Sequence, residues 1–284
     1  MKKPRLLLVQ AFSLPDNARY AMRRMAGTKE QMMMNYDDVA SSFDGVEWDL
    51  HPGARAAHGD WPVETREEFM LIGAARLRVV REACESGKWD AIVLLGGGDP
   101  GYVESREIGR RFGVAVTSCA HAQMHLARTL GDRFSIIDIG ETHNARMADL
   151  VVQYRFTHEC ASIRNIDFPL PRPPFDDGTR PHHVERERAQ KGERSEMVEA
   201  AVEESIAAIE EDGAEVLMIG CSAAFWLQPY LQRRLKELGW DIPVLEGYRS
   251  SIEMAKWLVG MGATASGIAY PVDHPRKWRR RKAP

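Results

Sequence analysis

Short apolar runs, many of them β-branched, alternate along this chain with stretches of helical period, and that alternation narrows the possible folds more than any other feature. The runs are Arg5 to Gln10, Val46 to Leu50, Ala91 to Leu95, Val114 to Ser118, Phe134 to Ile139, Cys160 to Ile166, Val216 to Ile219 and Pro243 to Leu245. Strands interleaved with helices predict an α/β protein with parallel sheets and crossover helices. Eight strands divide as four plus four. Between them, Arg66 to Cys84 places Phe69, Ile72, Leu77 and Val80 near a helical period, with Gly87 just past its end. Val198, Val202, Ile206 and Ile209 form one face of a second helix whose other face is rich in glutamate.

The 284 residues are 44% hydrophobic and 28% charged, which suits a folded chain with a sizeable core and not a disordered or fibrous one. A net charge of −3 offers no basic field, so neither nucleic acid nor a membrane is expected as a partner. Leu6-Leu7-Leu8-Val9 is too short for a signal peptide and lacks a cleavage site, and no run approaches the roughly 18 apolar residues of a membrane span. The expected location is cytoplasmic. The basic stretch Lys277 to Lys282 reads as a solvated tail, with phosphate or partner binding as the alternative. Residues 168–192 contain five prolines, four of them in the first half, and read as an extended loop: a lid, an oligomer contact or an inert insertion. Met32-Met33-Met34 with Tyr36 reads as core filler, or else as the lining of a hydrophobic site.

Four cysteines, Cys84, Cys119, Cys160 and Cys221, include no C-x-x-C pair, so thiols are expected and not disulfides or a zinc knuckle. Cys221 follows a strand at the carboxyl edge where open α/β sheets bind ligands, between the small residues Gly220 and Ser222. It is either a reactive thiol or a small buried hydrophobe. Gly96-Gly97-Gly98 ends another strand and is suited to donating backbone hydrogen bonds to a carboxylate or enolate. It lacks the spacing of a phosphate loop. Asp99 before Pro100 reads first as a helix N-cap. Cys119 and His121 could form a catalytic pair, and His121 with His125 could begin a metal site but lacks further ligands; no metal and no cofactor are expected. Trp89 to Gly96 also echoes Ala214 to Cys221, each an apolar strand running into a small-residue turn, which sets Gly96 opposite Cys221.

Further stretches carry a resemblance: Asp90-Ala91-Ile92-Val93 into Gly98-Asp99-Pro100-Gly101, Leu130 to Ile137, Glu211 to Val216 into Gly220-Cys221, and Pro243 to Gly247. Over roughly residues 90 to 260 the chain resembles the aspartate/glutamate/hydantoin racemase superfamily, and within it the hydantoin and allantoin racemase branch. The resemblance implies two similar Rossmann-like domains with four-stranded parallel sheets facing across a cleft. The first would be 1–115 with 248–284, the second 116–247. It also implies a homo-oligomer, and a small-molecule substrate with an acidic alpha carbon flanked by one cysteine from each domain. The second cysteine matches Cys221; the first falls on Gly96.

Glycine carries no proton, so either Asp99 or Cys119 replaces the missing thiol, or one face alone receives a proton. Arylmalonate decarboxylase-like members keep only the second cysteine. Where relatives show paired threonines this chain has Asp138 and Ile139, and where they show Asn-Pro-Asn it has Gln10-Ala11-Phe12. The expected catalytic residues are therefore Cys221, Asp99 and Cys119. The expected substrate-binding residues are Gln10, Gly96, Gly97, Gly98, Asp138, Ile139, Gly220 and Ser222. Three functions stay open: a racemase-type isomerase, a one-cysteine lyase, and a non-catalytic small-molecule-binding protein.

Overall fold

The computed structural model describes residues 3–173, 182–271 and Lys277. The rest of the basic tail and the prolines at 174 and 181 lie outside the described residues.

Strand β1 (Arg5–Val9) lies between β2 (Glu47–His51) and β3 (Ala91–Leu94), and β4 (Ala115–Ser118) pairs with β3. In the second sheet β5 (Phe134–Asp138) lies between β6 (Cys160–Asn165) and β7 (Val216–Ile219), with β8 (Val244–Leu245) beside β7. All six pairings are parallel. Every residue of β3, β4, β5 and β7 is buried, which is why these strands read as continuous apolar runs and not as alternating ones.

The two sheets repeat one topology: in each, the second strand in sequence is at one edge, followed by the first, third and fourth. The third strands, β3 and β7, are thus equivalent. Gly96 stands two residues past the end of one and Cys221 two past the end of the other, so the short sequence echo has an architectural counterpart.

Between β1 and β2 the chain makes an excursion holding two single-turn helices, α1 (Lys29–Met32) and α2 (Tyr36–Val39). Helix α3 (Arg66–Glu85) starts at a capping box in which Thr65 and Glu68 exchange side-chain and backbone hydrogen bonds. The crossovers α4 (Tyr102–Phe112), α5 (Cys119–Leu130) and α6 (Glu141–Tyr154) follow β3, β4 and β5. Helix α7 (His182–Gln190) forms where the sequence suggested an extended loop to Gly192. Its Glu185 accepts hydrogen bonds from Ser195 Oγ and the Met197 amide at the start of α8 (Glu196–Glu210), so tertiary contacts hold this turn-rich stretch helical. Helix α9 (Gln228–Glu237) precedes β8, and α10 (Gly247–Gly260) returns to pack on β3, β4 and α5 of the first half. The expected boundary between 115 and 116 falls inside β4, which pairs with β3 and stays with the first sheet. One hydrophobic core joins the halves, with Leu6, Val93, Leu217, Cys221 and Tyr248 in the same cluster. Among the described residues no helix is long and apolar enough to cross a membrane.

Candidate active site

The carboxyl ends of β3 and β7 meet at the centre of the molecule. A Cβ on Gly97 would lie 1.9 Å from the Gly220 carbonyl oxygen, so only glycine lets the two strand ends come this close. A Cβ on Gly98 would strike the Phe69 ring at 2.3 Å. Gly96 has φ +118°, a conformation that disfavours any side chain, and a Cβ there would sit 3.1 Å from Ala11 Cβ.

Around this junction lies a pocket of about 50 Å³. Gly96, Gly97, Gly98, Gln10 and Phe12 line it from the first sheet, Cys221 and Ser222 from the second, and Tyr248 from α10. Gln10 is buried and donates from Nε2 to the Met32 carbonyl at 3.4 Å. Met34 reaches the pocket, while Met33 is buried in the core, so the methionine run serves both of its expected roles.

Cys221 is 4% exposed and lines the pocket together with His143. His143 stands in the first turn of α6 and is itself buried; its Nδ1 lies 2.6 Å from Asp138 Oδ2 at the end of β5. An ionised carboxylate only accepts, so Nδ1 donates to Asp138 and Nε2 is the nitrogen left without that bond. Asp138 is fully buried, and its other oxygen accepts from the Ile139 amide at 2.8 Å. Gly220 makes room for this carboxylate: a Cβ there would lie 2.4 Å from Asp138 Oδ2. Burial alone would lower the imidazole pKa, but the Asp138 charge and then Cys221 outweigh it and hold His143 well above the ordinary histidine value. Imidazole and carboxylate thus form a buried pair at the wall that also holds the Cys221 thiol, able to keep a proton on the ring.

His143 is the candidate functional residue that the sequence reading missed. The signal was a buried acid at a strand end with a histidine five residues on, in the first turn of the next helix. Asp138 and Ile139, expected to touch substrate, sit behind His143 and do not line the pocket.

Asp99 and Cys119 are turned elsewhere. The Asp99 carboxylate accepts from Ser118 Oγ at 2.5 Å, the Ala120 and His121 amides and the Tyr154 hydroxyl, so it caps α5 across the fold and not its own helix. Cys119 is fully buried, with Sγ 3.6 Å from the Leu94 carbonyl, and burial pushes its pKa well above the ordinary thiol value. Neither lines the pocket. His121 packs against Tyr102, and His125 bonds the His121 carbonyl; among the described residues no cluster of three or more His, Cys, Asp or Glu could hold a metal.

A strap from the second half crosses to the first over this pocket. Leu170 lines the pocket and its amide donates to Glu64 Oε1 at 2.8 Å. Arg172 then grips Glu68 with two guanidinium nitrogens, at 3.0 and 2.6 Å.

Two topologically equivalent parallel sheets, joined at their carboxyl edges around a buried thiol, define a pseudo-duplicated α/β protein with its site at the junction. The chain belongs to the Asp/Glu/hydantoin racemase family, whose model matches residues 64–255. It is 29% identical over 185 residues to the hydantoin racemase of Rhizobium meliloti, a match spanning 64% of this chain and 66%, just under two thirds, of that protein. Among solved structures, the allantoin racemase of Pseudomonas fluorescens superposes with a TM-score of 0.67 at 21% identity, covering 96% of this chain and 98% of that one. The allantoin racemase of Klebsiella pneumoniae gives 0.66 at 22%, covering 95% and 94%. At these identities the structural likeness speaks for the fold alone.

Proposed function

We propose that this protein is a cofactor-independent racemase-type isomerase that moves a proton at a carbon alpha to a carbonyl, with Cys221 as the acid/base. The observation that carries this reading is the thiol in a pocket also lined by His143, which Asp138 anchors at 2.6 Å. As a thiolate, Cys221 takes the α-hydrogen; the electron pair moves onto the carbonyl oxygen, where amides of Gly97, Gly98 and Ser222 receive it. His143, kept protonated, stabilises the thiolate before the transfer and again once the thiol has given its proton back to the planar enolate, which is racemised when the enolate has turned its other face to Cys221. Relatives are named as hydantoin racemases, which favours substrates with such an acidic carbon.

A second reading, a one-thiol lyase, is favoured by the first-sheet edge. Gln10, Ala11, Phe12, Gly96, Gly97 and Gly98 line the pocket there, and none of them carries an ionisable side chain. In that reaction, loss of carbon dioxide would leave an enolate that Cys221 protonates on a single face. Incubation with hydantoins, allantoin and arylmalonates in D2O, followed by NMR and chiral chromatography, separates the two. An isomerase exchanges the α-hydrogen of both enantiomers, whereas a lyase releases a fragment and leaves deuterium on one face.

A further inference from the structure

The Cys221 pocket has a larger neighbour on its outer side. A cleft of about 520 Å³ lies between the β1–β2 excursion and α7, where Arg186 lines it. Met22, Arg23 and Met34 line both the cleft and the pocket, so these three side chains of the excursion partition the two spaces.

The segment that carries Met22 and Arg23 is lightly tied. Residues 15–27 form no helix or strand, and none of them is buried. The chain is anchored on either side: the Ser13 amide donates to the Ala54 carbonyl at 2.8 Å, and Lys29 Nζ donates to the Trp48 carbonyl at 2.7 Å. Between these anchors Ala18, Ala21 and Met25 rest on the cluster of Phe12, Leu14 and Val63. Arg23 adds a polar fastening: it donates to the Phe12 carbonyl and, at 3.4 Å, to the Pro52 carbonyl, and stacks over the Phe12 ring at 5.4 Å. Neutral carbonyls yield a guanidinium to water more readily than a carboxylate does. The strap, by contrast, is held by two bonds from Arg172 to Glu68. Asn35, next to Met34, also favours movement. It is buried with φ +58°, and its amide nitrogen has no hydrogen-bond partner among the described residues. A buried donor without an acceptor penalises the closed form, and opening this turn returns it to water.

We propose that molecules reach Cys221 through this cleft, with residues 15–27 as the gate and Met22, Arg23 and Met34 as the residues that set the size admitted. The inference rests on the pocket being the reaction site and adds how that site is entered. Swinging Met22 and Arg23 aside joins the two spaces and makes room for a substrate that about 50 Å³ cannot hold. Flexible thioethers suit the position, because they refill the gap in several rotamers when the segment closes. Closure then returns the thiol to a water-poor pocket before the proton moves.

Alkylation of Cys221 in the full-length protein, followed by mass spectrometry of its peptide, reads access without turnover. Iodoacetamide and the bulkier N-phenylmaleimide are the probes. We expect Arg23→Ala to raise the N-phenylmaleimide rate at least tenfold and the iodoacetamide rate by less than about threefold. Loss of a cation from the pocket would by itself slow both reagents, so acceleration reports the gate. Met34→Trp should slow N-phenylmaleimide at least tenfold, and Arg172→Met, which loosens the strap, should leave it within about twofold of wild type. Unchanged rates in both excursion variants overturn the proposal, as does acceleration in Arg172→Met alone. If the rates behave as expected but α-hydrogen exchange does not depend on Cys221, the gate stands and the proton-transfer reading fails.

Discussion

The proposed chemistry turns on a histidine bonded to a carboxylate five residues upstream and sharing a pocket with a thiol 78 residues downstream. His143→Gln removes the proton held beside Cys221 while keeping a side chain that can still reach Asp138. We expect α-hydrogen exchange to fall by about 10²-fold, the lower end of what a positioned acid/base contributes. Alkylation of Cys221 by iodoacetamide at neutral pH should slow in parallel. Because Asp138 and Cys221 raise the His143 pKa, the wild-type protein should retain its reactive thiol above the ordinary histidine range, and the variant should lose that pH dependence. A pH profile of alkylation separates this from mere loss of packing. Cys221 itself was legible in the sequence, because a cysteine between small residues at a strand's carboxyl edge has a positional meaning. His143 was not, since the bond that gives it meaning spans two elements. Asp99 shows the same limit: its N-cap chemistry was legible, but the helix it caps begins 20 residues later. Gly96 was read as a lost side chain. The structure adds a backbone at φ +118°, where restoring cysteine would impose strain of about 1–3 kcal/mol and direct its Cβ toward Ala11.

At the scale of elements, the strap at 168–172 does what the proline content alone did not reveal. Prolines excluded regular structure and made the segment legible as a loop, but its attachment depends on Glu64 and Glu68, about 100 residues away. Glu68 accepts from Arg172, Trp61 Nε1 and the Glu64 and Thr65 amides. Burial by itself would raise its pKa, but Arg172 and then these donors override it and hold it at about 2. A carboxylate held below its unfolded value of 4.5 stabilises the fold above that pH, and the contribution fades as pH falls toward 2. Arg172→Met should cost about 2 kcal/mol in urea unfolding at pH 7, the scale of charge-assisted hydrogen bonds. The difference between variant and wild type should shrink between pH 4.5 and 2. The eight strands, by contrast, were legible almost to the residue, because four of them are buried across their full length and read as continuous apolar runs, and the other four are bounded by turn residues. Helix α7 was missed because its stability lies in Glu185 bonding the start of α8 and not in its own sequence pattern.

For the molecule as a whole, two copies of one sheet topology meet where backbone touches backbone at Gly97 and Gly220. The pocket they enclose, about 50 Å³, has room for a few waters, so a substrate must part the halves, the strap or the methionine-lined excursion to enter. Gly97→Ala places a methyl group 1.9 Å from the Gly220 carbonyl and cannot be accommodated in the closed form. Overpacking of this kind costs about 1–3 kcal/mol, and we expect chemical denaturation to show that loss and small-angle scattering to show a more open molecule. Unchanged stability and dimensions would mean that the halves do not depend on this contact. The duplicated architecture also gives a single thiol its place at the centre: the equivalent position on the first sheet is backbone alone, and Cys221, His143 and Asp138 all come from the second half.

The most direct test is α-hydrogen exchange in D2O, followed by NMR over a panel of hydantoins, allantoin and α-substituted carboxylates, comparing wild type with Cys221→Ser. We expect the wild-type protein to exchange the α-hydrogen of at least one of these compounds and Cys221→Ser to abolish that exchange while remaining folded. Exchange that persists unchanged in the serine variant would contradict the assignment of Cys221 as the proton carrier.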